Sequence, residues 1–228
     1  MAEREHTSKY YEQQLRLLKD KLLLMSHQAE QMIAEAIRAL VERRPSVAEE
    51  VIARDDTLDQ LEVEIDNLCY QILALEQPVA RDLRFIATAL KIVRDIERIG
   101  DTAVNIAERA RELIQEPELK RLVAIPIMAE SAQRILKESL DAFVNGDADL
   151  AEKVIRDDNE VDDLYEQILR ELLTYMMEDS RNISRALKLI FIAKHLERVG
   201  DHSSNIAEMV VFMVRGQDIR HGTRPDRG

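Results

Sequence analysis

Residues 96–108 read IERIGDTAVNIAE, and residues 196–208 read LERVGDHSSNIAE. Glu, Arg, Gly, Asp, Asn, Ile, Ala and Glu return in the same order at the same spacing. Upstream of the first copy, Ile86, Leu90 and Val93 advance by four and three residues. The same lane continues through Glu97 to Gly100, Val104 and Ala107. Ile190, Ala193, Glu197 and Gly200 repeat it in the second copy. Steps of three and four mark one face of an α-helix, so each copy lies on a helix whose apolar lane contains an acid.

The neighbouring segments follow the same rhythm. Tyr11, Leu15, Leu18, Leu22, Met25, Ala29, Met32 and Ala36 line a first helix that Pro45 should end. Ser46 and Glu49 form a capping-box pattern at the start of a second, carried by Leu58, Leu61, Ile65, Leu68, Ile72 and Leu75. The third ends near Glu116-Pro117. A fourth helix is expected from about Leu119, with Pro126 either kinking it or marking its start. Asn145-Gly146-Asp147 is a turn, Val154 to Tyr175 mark the fifth helix, and the sixth runs to about Arg215. Short connections make neighbours antiparallel. The expected fold is all-α, with two tandem three-helix bundles over residues 1–116 and 117–216 and a flexible tail at 217–228.

The composition agrees. Of 228 residues, 46% are hydrophobic and 33% charged, with no Trp, which suits amphipathic helices and excludes a disordered chain. A formal net charge of -12 gives no whole-molecule attraction to nucleic acid or to an anionic membrane. The single Cys69 fits a reducing compartment, and no secretion signal or membrane-length apolar run is evident, so a cytoplasmic protein is expected. No Gly-rich Lys-Ser/Thr phosphate loop is present to support an ATPase or kinase.

The acids have partners in the sequence. Glu97 and Asp101 share a helix face, as do Asp55 and Asp59 on the preceding helix. Asp59 and Glu97 each lie 19 residues from Pro78, and Asp55 and Asp101 each lie 23 from it. In an antiparallel hairpin these four carboxylates meet about 30 Å from the turn. Asp158 and Asp162 stand in the same relation to Glu197 and Asp201 about the EDSRN connection. Four carboxylates at a core edge require arginine partners, protons or cations. Arg94, Arg98 and Arg198 could supply the first. Matched register in both halves favours cations, and all-oxygen ligands favour Mg²⁺, Ca²⁺, Mn²⁺ or iron. Gly100 and Gly200 permit close helix approach. Asn105 and Asn205 stay open between capping, interhelical bonding and an outer ligand shell. His195 and His202 occur only in the second copy and are expected at the surface.

The stretches DLRFIATALKIVRDIERIGDTAVNIAE and LTYMMEDSRNISRALKLIFIAKHLERVGDHSSNIAE resemble the PhoU family of bacterial phosphate-uptake regulators. The resemblance spans nearly the whole chain; Ser180 departs from it where many relatives carry Pro. It implies that Asp55, Asp59, Glu97, Asp101, Asp158, Asp162, Glu197 and Asp201 are metal ligands, for Fe, Mn, Mg or Zn. It further implies a non-enzymatic negative regulator that contacts the ATPase of a phosphate ABC transporter and a sensor histidine kinase, and a homodimer. Two rivals remain: a di-metal carboxylate protein, whose Glu-x-x-His signature is missing from both acidic clusters, and a structural helical adaptor with salt-bridged acids.

Overall fold

The computed structural model describes residues 2–216, with side chains from residue 9 onward; the expected tail at 217–228 lies outside the described residues. The described residues form six helical rods, the second of them divided. They are α1 (Ala2–Glu42), α2 (Pro45–Ala53) with α3 (Asp55–Glu76), α4 (Ala80–Ile114), α5 (Ala124–Asn145), α6 (Ala148–Glu178) and α7 (Ile183–Arg215). The apolar lane of α1 is buried from Leu18 through Ala36, as its spacing requires.

The connections show where local chemistry differs from expectation. Arg43 turns the chain with φ 54°, and Pro45 opens α2, where its missing N–H costs nothing. The capping box does not form: Arg44 is the N-cap and makes no side-chain cap bond. The expected continuous second helix breaks at Arg54, whose N–H bonds back three residues to Val51 O and whose guanidinium pairs with Glu35 on α1 at 2.7 Å. Asp55 therefore begins a new helix, where its charge favours the dipole. Helix α5 starts at Ala124, later than expected, with Pro126 in its first turn. Gly146 adopts φ 64°, and Asp147 Oδ1 then caps α6 by accepting from Asp149 N and Leu150 N. Ser180, where the resemblance has Pro, opens a 3₁₀ turn over Ser180–Asn182.

Helices α4 and α7 join the halves, antiparallel and in contact along their length. Arg84 Nε donates to Met213 O at one end, His202 meets Asp95 in the middle, and Lys188 pairs with Glu112 and Glu116 at the other end. Beside them, Lys19 of α1 donates to Val144 O of α5, and Phe85 stacks on Phe143 with centroids 4.7 Å apart. Buried side chains from both halves form one continuous core.

The hairpins α3–α4 and α6–α7 close tightly at the repeated glycines. A Cβ at Gly100 would stand 2.0 Å from Leu58 Cδ2, and one at Gly200 would stand 2.4 Å from Asp158 Oδ1. Leu58 is only 1% exposed, so its side chain would have to repack within the core. Overpacking of this kind costs about 1–3 kcal/mol, against a helix-propensity gain of about 1 kcal/mol. Gly100→Ala should therefore lower the unfolding free energy by up to about 2 kcal/mol in urea titration. An unchanged or raised midpoint would show that the hairpin can open without cost.

Candidate metal centres on the two hairpins

In the first half, α3 supplies Asp55, Asp59 and Glu62, and α4 supplies Glu97 and Asp101. Asp55 and Glu97 lie at the core edge, half-buried, while Asp59 and Asp101 reach solvent. Burial raises the Asp55 carboxyl above the usual range, and Asp59, Asp101 and Asp56 add to the effect. Glu97 is pushed up to about 7 by burial first, then by Asp101, Glu62 and Asp59, with Arg98 opposing. Thus Asp55 senses Asp101, and Glu97 senses Asp59, across the helix pair that equal spacing from Pro78 predicts. Among the described residues, none of these five acids has a lysine or arginine at ion-pair distance. Arginine pairing therefore does not balance the first cluster.

The second half keeps the register and changes the surroundings. Asp158 is 9% exposed, and its Oδ2 accepts from Ser204 Oγ at 2.9 Å while Oδ1 abuts Gly200. Asp162 and Asp201 are half-buried on α6 and α7. Lys194 sets its ammonium against Glu197 Oε2 and lies 5.4 Å from the Tyr165 ring centre. By the repeat, Tyr165 occupies the place of Glu62 and Leu169 that of Asp66. An acid-rich surface in the first half thus becomes a lysine- and tyrosine-lined one in the second.

Several residues escaped the sequence reading. Glu62 lies three residues beyond Asp59 on the same face, a spacing that could have disclosed it. Burial, then Asp66 and Asp59, raises its carboxyl, with Arg94 opposing. His195 and His202 are half-buried rather than fully exposed. His202 Nδ1 lies 2.8 Å from Asp95 Oδ1 in the seam between α4 and α7. His195 is half-buried; burial, Arg198 and Arg109 lower its pKa to about 4, so the ring is neutral near pH 7. Asp95 and Thr102, which match His195 and His202 in the repeat, are themselves buried. Asn105 neither caps nor crosses between helices, since its Nδ2 donates to Asp101 O one turn back.

The donor chemistry fits a hard or intermediate cation. The first-half acids are all oxygen donors and short of positive charge, and Asp66 Oδ1 is buried with no hydrogen bond. Glu197 Oε2, although Lys194 lies against it, also accepts no aligned hydrogen bond. Among the described residues no three acids, imidazoles or thiols are already gathered as a ligand set, so holding a cation would require side-chain rotation.

The doubled motif and its geometry agree with known proteins. The PhoU domain family matches twice, over residues 22–110 and 125–210. The chain belongs to the PhoU family. A phosphate-specific transport system accessory protein PhoU homolog of Pseudomonas aeruginosa is 44% identical over 95% of this chain and 90% of its own. The Escherichia coli K12 protein of that system is 37% identical over the same shares. The crystal structure of PhoU from Pseudomonas aeruginosa superposes with a TM-score of 0.86 at 43% identity, covering 91% of this chain and all of that one. The phosphate transport system regulatory protein PhoU from Streptococcus pneumoniae gives 0.83 at 26% identity, over 91% and 98%.

The raised Glu97 pKa sets a pH dependence. Because the folded chain holds this proton more tightly, the associated stability is full below about pH 4.5 and is lost as pH rises through about 7. Asp55 and Glu62 act in the same sense, whereas Asp157 and Glu112 are lowered and act in the opposite one. The readout is therefore a difference. In chelator-treated protein, wild-type melting temperature relative to Glu97→Gln should fall between pH 4.5 and 7. A flat or rising difference would mean that the first cluster is already neutralised.

Proposed function

We propose that this chain regulates phosphate uptake as an accessory of a phosphate-specific transport system, and that it acts by protein contact rather than by catalysis. The carrying observation is the double PhoU-domain match together with relatives named for that system. In this reading the chain contacts the transporter's cytoplasmic ATPase and a sensor histidine kinase, and it restrains the phosphate-starvation response when phosphate is plentiful. Two features support contact as the mode of action. No helix among the described residues is long and apolar enough to cross a membrane. Both hairpin tips expose apolar side chains, Leu75, Val79 and Leu83 on one and Met177, Ile183 and Leu187 on the other.

The acidic hairpin faces would hold divalent or iron-type cations in this reading. Asp55, Asp59, Glu97 and Asp101 serve one site, with Glu62 beside them, and Asp158, Asp162, Glu197 and Asp201 serve the other. Lys194 competes for Glu197, so the first site should load more tightly. A cation affects regulation only through different affinities for the free and partner-bound forms.

Deleting the protein should switch on phosphate-starvation genes in phosphate-rich medium, and the purified chain should bind the transporter ATPase or a cytoplasmic segment of the kinase. Normal repression in the deletion strain with no binding to either would overturn this reading in favour of the structural adaptor. The cation arm is tested separately by element analysis of full-length protein. Asp59→Asn with Glu97→Gln should empty the first site while changing metal-free stability by about 1 kcal/mol or less. A larger loss would show that these acids have buried partners.

A further inference from the structure

A cavity lies where the halves meet, about 18 Å along α4 from Glu97. Its volume is about 750 Å³, within the usual span for small-molecule sites, and α1, α4, α5 and α7 all contribute to its wall. Four cations surround it: Arg16, Lys19, Arg81 and Arg84. Among the described residues that line it, only Glu12 and Asp82 oppose them, and Asp82 accepts from Tyr11 Oη at 2.9 Å. In a chain with 44 acidic and 32 basic residues, this is a local reversal of charge.

Their hydrogen bonds leave these charges unspent. Lys19 donates to Val144 O and Arg84 to Met213 O, both neutral carbonyls. Arg16 and Arg81 have no ion pair or hydrogen bond among the described residues. Exposed arginines alone are commonly just solvated, but here they rim an apolar floor. Leu15, Phe143 and Met213 line it, and the stacked Phe85–Phe143 pair stiffens it. Lys19 lies over the Phe85 ring, 5.3 Å from its centre, and so holds positive charge above that floor.

We propose that this cavity binds a small organic polyanion of the nucleoside-polyphosphate class. Guanidinium groups grip phosphoryl oxygens in pairs, which assigns the phosphates to Arg16 and Arg81. The apolar floor receives the base and sugar, surface that an inorganic ion would leave unused. Because the wall draws on both halves, an occupant touches both.

Calorimetric titration of the full chain with ATP, ADP and inorganic tripolyphosphate, in excess Mg²⁺ and physiological salt, tests the site. ATP should bind more tightly than tripolyphosphate. Arg16→Ala with Arg81→Ala should weaken ATP binding at least about tenfold, and Arg16→Lys with Arg81→Lys should recover part of the loss. Asp59→Asn with Glu97→Gln should leave ATP binding unchanged, which separates the cavity from a metal-bridged contact at the acidic face. A melting curve checks that each variant is folded. The proposal is overturned by no ATP binding up to about 1 mM, by binding indifferent to the double alanine change, or by binding lost with the acidic variant. Tripolyphosphate binding as tightly as ATP would overturn the nucleotide assignment.

Discussion

Two glycines set the distance on which both hairpins depend. At Gly100 and Gly200 a single added carbon would collide with the facing helix. Glycine is a poor helix residue, costing about 1 kcal/mol relative to alanine, so its presence in the middle of α4 and α7 reflects packing rather than propensity. The close approach brings acids of neighbouring helices together at the core edge. It also places Asp158 where Ser204 can reach it. The acidic faces are thus a by-product of intimacy: helices held farther apart would leave the same carboxylates solvated and indifferent to one another.

Much of this was legible in the chain. The three-four rhythm marked every rod, and the repeated phrase exposed the duplication. Equal distance from the turns placed Asp55 opposite Asp101 and Asp59 opposite Glu97, because straight helices leave little freedom once antiparallel. What escaped depended on tertiary context. Arg54 breaks the second rod while held by Glu35 on another helix. Pattern alone could not reject the Ser46 capping box, since Pro45 and the turn at Arg43 had already fixed the helix start. His202 and Asp95 meet across a seam between the halves, and comparison within a single copy cannot show such a seam.

The two acidic faces have diverged in kind. The first carries repulsion that only protons, distant arginines or a cation can relieve. In the second, Lys194 and Tyr165 stand where the first has Arg94 and Glu62, and an internal ammonium already addresses Glu197. A buried serine hydroxyl holds Asp158 in one orientation. Equivalent positions in a repeat therefore do not guarantee equivalent electrostatics, because one neighbouring side chain changes what an anion requires of its surroundings.

The unbroken core joining the halves has a consequence for dissecting the molecule. A duplicated chain invites cutting at its midpoint, but the cut would expose the apolar flanks of α4 and α7 to water. The isolated pieces would then be driven to pair with each other or with further copies, recreating in trans the seam that the intact chain makes in cis. Fragments that reassociate in this way offer a route to a split protein, in which either half could carry a label and reunion would be driven by the seam itself.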